Sequence, residues 1–171
     1  MHFSIQSTIA RTWSPKGSKP QVKSYAGRKN ASYSGFVIPS DGRLFVAKPL
    51  WFNWETTIDS FRQFINQCDT GGNKRIILVL DNAPWHKKAK RLVEKEPEYQ
   101  DIRDRMSFVS LPPYSPDLNP IEQVWRITRR EKTHNHFRPD LPSLSATLDS
   151  WFASLSNPNE KLRSLCSFKA N

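Results

Sequence analysis

The sequence predicts one α/β domain whose mixed sheet, antiparallel strands first and parallel strands after, is flanked by helices. Three observations predict it. Residues 1–50 alternate short β-branched and aromatic runs with turn signals. The apolar period then lengthens, with Ile58, Phe61 and Ile65 recurring at helical spacing. Two buried-strand candidates follow, "RIILVL" (75–80) and "MSFVSL" (106–111), with a basic helix-forming stretch between them.

"HFSIQ" (2–6) and "QVKSYA" (21–26) are β-like runs on either side of the turn-rich "SPKGSKP". "ASYSGFVI" and "RLFVAKPLWF" flank "PSDG", and an Asp41-Gly42 pair between apolar runs signals a hairpin. Residues 54–67 read as an amphipathic helix, its face widened by Phe64, and "TGGN" (70–73) is expected to stop it. "RIILVL" is continuous and branched, the signature of a strand buried on both faces. A basic helix over about 87–96 turns Ala89, Leu92 and Val93 inward. After "MSFVSL" come four prolines in nine positions (112–120), then a helix from about Pro120 to His134. Leu141, Leu144, Leu148, Trp151, Phe152 and Leu155 form the stripe of a core-packing helix. No internal repeat or low-complexity linker divides the chain.

At 171 residues the chain fits one domain able to bury a core. Its 26 Lys+Arg against 16 Asp+Glu give a formal charge of +10, which suits a polyanionic partner such as nucleic acid; a basic but otherwise ordinary enzyme is the alternative. The first forty residues hold no acid and six cations, Arg11, Lys16, Lys19, Lys23, Arg28 and Lys29. Cys68 and Cys166 form no CxxC pair, which argues against a zinc site or disulfide framework and for a reducing cytosol. No run is apolar enough for a signal peptide or a membrane span, so a soluble cytoplasmic protein is expected, with no membrane partner.

Two acids stand where chemistry is expected. Asp81 follows the first buried strand directly, at the carboxyl end where open α/β sheets bind ligands. The competing reading is an Asx-turn residue. Glu122 fits a capping box with Asn119 as N-cap and Pro120 at the first helical position, and it stands four residues before Arg126. Capping does not explain the stiff proline lead-in, which fixes where the helix begins. Taken together, two carboxylates at neighbouring strand exits are hard oxygen ligands suited to Mg²⁺ and phosphate chemistry. The basic flanks "HKKAKR" and "RITRREK" nominate Lys87, Lys88, Lys90, Arg91, Arg126, Arg129 and Arg130 as DNA contacts, although such runs are usually solvated helix faces.

"VLDNAPWH" followed by "LPPYSPDLNPIEQVW" closely resembles the DDE transposases of bacterial insertion sequences related to the mariner group. "RTWSPKGSKP" and "SGFVIPSDGRLF" resemble further segments of that family, so the likeness covers about residues 10–135 most clearly. The resemblance implies an RNase H-like fold and three acids that bind two divalent ions, Mg²⁺ or Mn²⁺, for DNA cleavage and strand transfer. It makes Asp81 the second acid and Glu122 the third, catalytic and metal-binding. It implies that the prolines aim Glu122 at the metals, and that the extra length between the acids lies in a surface excursion, "EKEPEYQDIRDRM". His86 matches the family's DNAxxH string and, with Asn82, is a candidate for positioning or for ordering the loop. Trp85 is either a solvent-facing aromatic or a core plug.

One departure matters. The family's first Asp ends a strand shortly before the Trp–x–Pro–Lys–Gly segment, here Trp13–Gly17, yet nothing acidic precedes Asp41. Residues 1–171 are therefore expected to form a single catalytic domain lacking the end of the first strand and the N-terminal helix-turn-helix region. The expected partners are DNA, as transposon ends and target, and a second copy or another transposase subunit. The expected function is transposition by an incomplete, inactive copy; the alternative is a remnant that binds DNA or a subunit without chemistry.

Overall fold

Alternation of apolar side chains in the first fifty residues builds two antiparallel pairs. The computed structural model describes residues 1–68 and 74–167. Strand β1 (His2–Ser4) pairs with β2 (Asn30–Ser32), and β3 (Ser34–Ile38) with β4 (Arg43–Ala47). The run 21–26 forms no strand; Asn30–Ser32 takes the place beside β1. Only Val22 and Tyr25 in that run are even half-buried, so it has too little apolar surface to hold a ladder. The 39–42 turn closes as expected, with Gly42 at φ 73°, its N–H bonded to the Ile38 carbonyl at 2.8 Å. Asp41 accepts from the Arg43 backbone and guanidinium.

The β3–β4 hairpin is a wall between two cores. Strand alternation sends Phe36, Ile38 and Phe45 to one side and Val37, Leu44 and Val46 to the other. On the first side lies α1 (Trp54–Gln67), whose Ile58, Phe61 and Phe64 are buried. Its start is fixed by a capping box between Asn53 and Thr56. The Phe36 and Phe64 rings stack at 4.6 Å. The expected stop at 70–73 lies outside the described residues.

Strand β5 (Ile76–Leu80) runs parallel to β6 (Met106–Ser110) in the register Ile76↔Met106 to Leu80↔Ser110. Between them lie α2 (Pro84–Lys95), a short 3₁₀ turn and α3 (Gln100–Arg105). Two expectations need correction. These strands are not buried on both faces: Ile76, Leu78, Leu80, Met106 and Phe108 face the α1 core, but Ile77 is 69 % and Val109 49 % exposed. Nothing among the described residues covers their face. Nor is 94–106 a mere surface excursion, because Tyr99 and Ile102 plug the same core.

On the far side of the hairpin, α4 (Pro120–Thr128) and α5 (Leu141–Ala153) bury Val124, Trp125, Leu144, Leu148 and Phe152 with Phe3 and Tyr33. A π-helical turn over Arg129–Thr133 extends α4 towards the predicted end at His134. A further helix, α6 (Glu160–Cys166), was not expected; Leu162 and Cys166 dock it beneath α4. The buried Cys166 thiol, its pKa pushed up to about 11 by burial, donates to the Pro120 carbonyl at 3.4 Å. No disulfide forms between Cys68 and Cys166. Antiparallel strands thus precede parallel ones, but as three two-stranded pieces rather than one continuous sheet.

Candidate active site: a carboxylate cleft at two strand exits

Asp81 leaves β5 where the chain turns into α2. Its Oδ1 accepts from the Ala83 N–H at 3.0 Å, so the Asx turn does form. The same oxygen accepts from His86 Nδ1, in the first turn of α2, at 2.5 Å. This hydrogen bond, foremost, holds the Asp81 carboxyl below the usual carboxylate range, against the opposing effect of burial. The turn and the ring together fix one rotamer of a carboxylate whose side chain is still about half exposed, at 49 %.

Asn82 ties the two exits together. Its Nδ2 donates to the Leu111 carbonyl at 2.7 Å, while the Leu111 N–H donates to the Leu80 carbonyl at 2.8 Å. The segment that leads to Glu122 therefore departs from beside Asp81. It passes Tyr114, at φ 56°, and a 3₁₀ turn at Pro116–Leu118 before α4 begins.

Neither structural use of Glu122 is realised. Asn119 occupies the N-cap position of α4 but its side chain accepts no cap bond, and only its backbone carbonyl receives the Glu122 N–H, at 3.0 Å. Arg126 turns instead to Asp117 at 3.7 Å and Gln123 at 3.4 Å. The half-buried Glu122 lines the same cavity as Asp81, about 750 Å³, between β3, β5 and the start of α4.

A third charged group in this cleft has no signature in the sequence. The Met1 ammonium donates to the Tyr33 carbonyl at 2.7 Å and feels both Glu122 and Asp81. Burial lowers its pKa from 8.0 to about 6, Arg129 acts in the same direction, and the two acids oppose the shift. Arg129 also lines the cleft and donates to the Met1 sulfur at 3.3 Å.

The other nominated cations are more dispersed. Lys87, Lys88 and Arg91 are exposed on α2, with Lys88 Nζ 4.5 Å from the Trp54 ring centre. Lys90 reaches Ser110 at 3.2 Å and Glu94 at 3.9 Å. Arg126 and Arg130 are exposed, the latter paired with Glu131 at 3.2 Å. Trp85 is half-buried on the cleft wall, its ring 6.0 Å from that of Phe52 in a near-parallel stack.

As a donor set, the cleft offers two carboxylates. Among the described residues no three His, Cys, Asp or Glu side chains cluster for a metal. Two carboxylates fit one hard divalent ion that keeps most of its water; two closely spaced ions need more negative charge.

The chain belongs to the DDE superfamily endonuclease family, whose model matches residues 1–145. An uncharacterized protein of Sinorhizobium fredii, y4pE/y4sA, is 36% identical over 64 residues, 37% of this chain and 41% of that relative. The matched stretch thus spans less than half the length of that curated relative. The family's description is of DNA-cleaving enzymes, which generally use divalent metal ions. Among the described residues, no helix is long and apolar enough to cross a membrane.

Proposed function

We propose that residues 1–171 are the catalytic domain of a bacterial insertion-sequence transposase, acting by metal-dependent cleavage and strand transfer of DNA. The observation that carries this reading is that Asp81 and Glu122, 41 positions apart in sequence, line one cleft beside two strand exits. In this reading Asp81 and Glu122 hold Mg²⁺ or Mn²⁺. The bound ion would activate the attacking oxygen and stabilise the leaving one. His86 and the Ala83 N–H hold the Asp81 carboxylate in its rotamer, and Asn82 keeps the two exits in register. Arg129 faces the phosphate side of the cleft, and the α2 cations, with Arg126 and Arg130, neutralise the flanking backbone. A third acid, from polypeptide ahead of Met1, completes the site for two ions; a second copy or subunit and the transposon ends are the partners, in the bacterial cytoplasm.

A second reading is favoured by the cleft's acid content, since Asp81 and Glu122 are the only Asp or Glu among its lining residues: a domain that binds DNA or a subunit without chemistry. One experiment separates them. The 171-residue chain and a version extended by a strand ending in Asp, preceded by a helix-turn-helix region, are assayed for Mg²⁺- and Mn²⁺-dependent cleavage of duplex DNA carrying the element's ends. Cleavage only by the extended chain, abolished by Asp81→Asn or Glu122→Gln with circular dichroism unchanged, is the expected result. Cleavage by the 171-residue chain that survives both substitutions would remove the two acids from the mechanism.

A further inference from the structure

Tyr114, on the segment that leads to Glu122, is 102 % exposed, so no described residue packs against its ring. Aromatic side chains ordinarily bury a large apolar area; this one leaves all of it in water. Its backbone also sits in the left-handed region, at φ 56°, where a Cβ crowds the following carbonyl. Among the described residues Asn135, at φ 61°, is the other non-glycine there. Asparagine tolerates that region, and the Asn135 side chain exchanges hydrogen bonds with the Ala10 backbone at 3.0 and 3.1 Å. Tyr114 has neither advantage. A glycine would make the same turn without strain, so the ring itself needs a reason.

The root of that ring is held firmly. Pro112 and Pro113 precede it, Ser115 Oγ donates to the Pro113 carbonyl at 3.1 Å, and Pro116 opens the 3₁₀ turn beyond. Three residues back, Leu111 is bonded to Leu80 and to Asn82, the neighbours of Asp81. Three residues span at most about 11 Å, which is on the order of three nucleotides of stacked strand at ~3.4 Å each. Cations flank the segment. Lys90 Nζ donates to Ser110 Oγ at 3.2 Å, and Arg126 pairs with Asp117 at 3.7 Å. A bare aromatic face between phosphate-neutralising cations is how sequence-tolerant proteins hold single strands. Inside a duplex each base is already covered on both faces, so such a ring can take only a base that is terminal or unpaired.

We propose that Tyr114 is a stacking platform for an unpaired nucleobase of DNA, a few nucleotides from the phosphate that Asp81 and Glu122 engage. The place of that phosphate rests on the catalytic reading; the capture of the base needs neither metal nor cleavage. Strained residues gather where a ligand is clamped, and a stacked base covers the apolar area that the fold leaves in water. The stiff proline segment then has two outputs. It sets the start of α4, and with it Glu122, and it sets the ring in fixed register with the exit beside Asp81. The ring, rather than the phenolic hydroxyl, is the group that acts, since every base offers a π-face but no common hydrogen-bonding edge. The DNA this site takes therefore has a frayed or single-stranded stretch next to the reacting phosphate.

The test uses the full chain without metal and two DNA probes of mixed sequence, a blunt duplex and the same duplex with a short unpaired fork at one end. Affinities are read by fluorescence anisotropy at low salt. A forked probe carrying 5-iodouracil in its unpaired arms is photocrosslinked and the crosslink mapped by mass spectrometry. The fork should bind more tightly than the blunt duplex, and the crosslink should fall on Tyr114. Tyr114→Asn, which suits the left-handed backbone but removes the ring, should weaken fork binding roughly tenfold and leave blunt binding and circular dichroism unchanged. Tyr114→Phe, which keeps the ring, should bind both probes as the parent chain does. The inference is overturned if the fork is not bound, if the crosslink maps elsewhere, or if Tyr114→Asn keeps full fork affinity. It is equally overturned if Tyr114→Asn weakens both probes alike, or if Tyr114→Phe loses as much as Tyr114→Asn. Each of these outcomes leaves Asp81 and Glu122 in place. A fork captured by Tyr114 but never cleaved by the extended chain would count against the catalytic reading alone.

Discussion

Trp125 packs its ring against Gly35, leaving no room for a side chain there. A Cβ at that glycine would stand 2.6 Å from Trp125 Cη2 and 3.2 Å from Ile121 Cδ1. The contact sets how closely α4 approaches β3, and so where Glu122, one turn before Trp125, meets the cleft. Gly35→Val should push α4 outwards and cost about 1–3 kcal/mol through overpacking, read as a lowered Tm in thermal melts. An unchanged Tm would mean that the helix accommodates the side chain freely and that this contact does not fix Glu122.

The His86 ring sets the acidity of Asp81. Because the folded carboxyl lies below its unfolded value, it adds stability above the ordinary carboxylate range, and that stability is lost as pH falls through the folded pKa. His86→Ala should raise the Asp81 pKa and flatten this acid limb. A side-chain NMR titration measures it directly, and an Asp81 midpoint unmoved by the substitution would refute the coupling.

The Met1 amine is shifted in the same direction, but by burial. Its folded pKa of about 6 lies below the ordinary 8.0, so between those values the unfolded chain binds more protons. Its contribution to stability should therefore improve as pH rises from about 6 to 8, and N-terminal acetylation should remove that slope. Urea titrations of both forms across this window check it; parallel pH profiles would contradict the shift.

Loss of the α1 capping box should destabilise the fold without touching the cleft. Asn53 Oδ1 accepts from the Thr56 N–H at 2.8 Å and Thr56 Oγ1 from the Asn53 N–H at 3.2 Å. Asn53→Ala should cost about 1 kcal/mol, read as a lowered urea midpoint at constant m-value. An unchanged midpoint would show the cap to be silent.

DNA binding should be tolerant of sequence and steep in salt. Each of Lys87, Lys88 and Arg91 that meets a phosphate should, on substitution by Ala, reduce the slope of log K against log salt by about 0.9. Anisotropy titrations at several salt concentrations measure this, and slopes unaltered by the triple substitution would move the DNA path off α2.

Periodicity and turn chemistry made much of the fold legible: α1 between residues 54 and 67, the hairpin at Asp41-Gly42, the strand runs at 75–80 and 106–111, and the stripe from Leu141 to Phe152 are all local patterns. The placement of Asp81 and Glu122 after those strand runs was legible for the same reason, since side chains at strand exits inherit their position from the ladder. What sequence misjudged was whatever depends on neighbours. A run such as "RIILVL" reads as doubly buried, yet burial is decided by what covers each face, and Ile77 has no cover among the described residues. Ile102 reads as part of a loop because one apolar residue among charges carries no period, and only packing against α1 and α2 makes it core. The capping box at Asn119 is a valid pattern that the backbone geometry leaves unmade. The Met1 amine that feels both Glu122 and Asp81 exists only once segments distant in sequence meet. Local pattern therefore determined the elements and the two candidate acids. Tertiary structure alone decided which groups share a cleft with those acids, because electrostatics and packing act through space rather than along the chain.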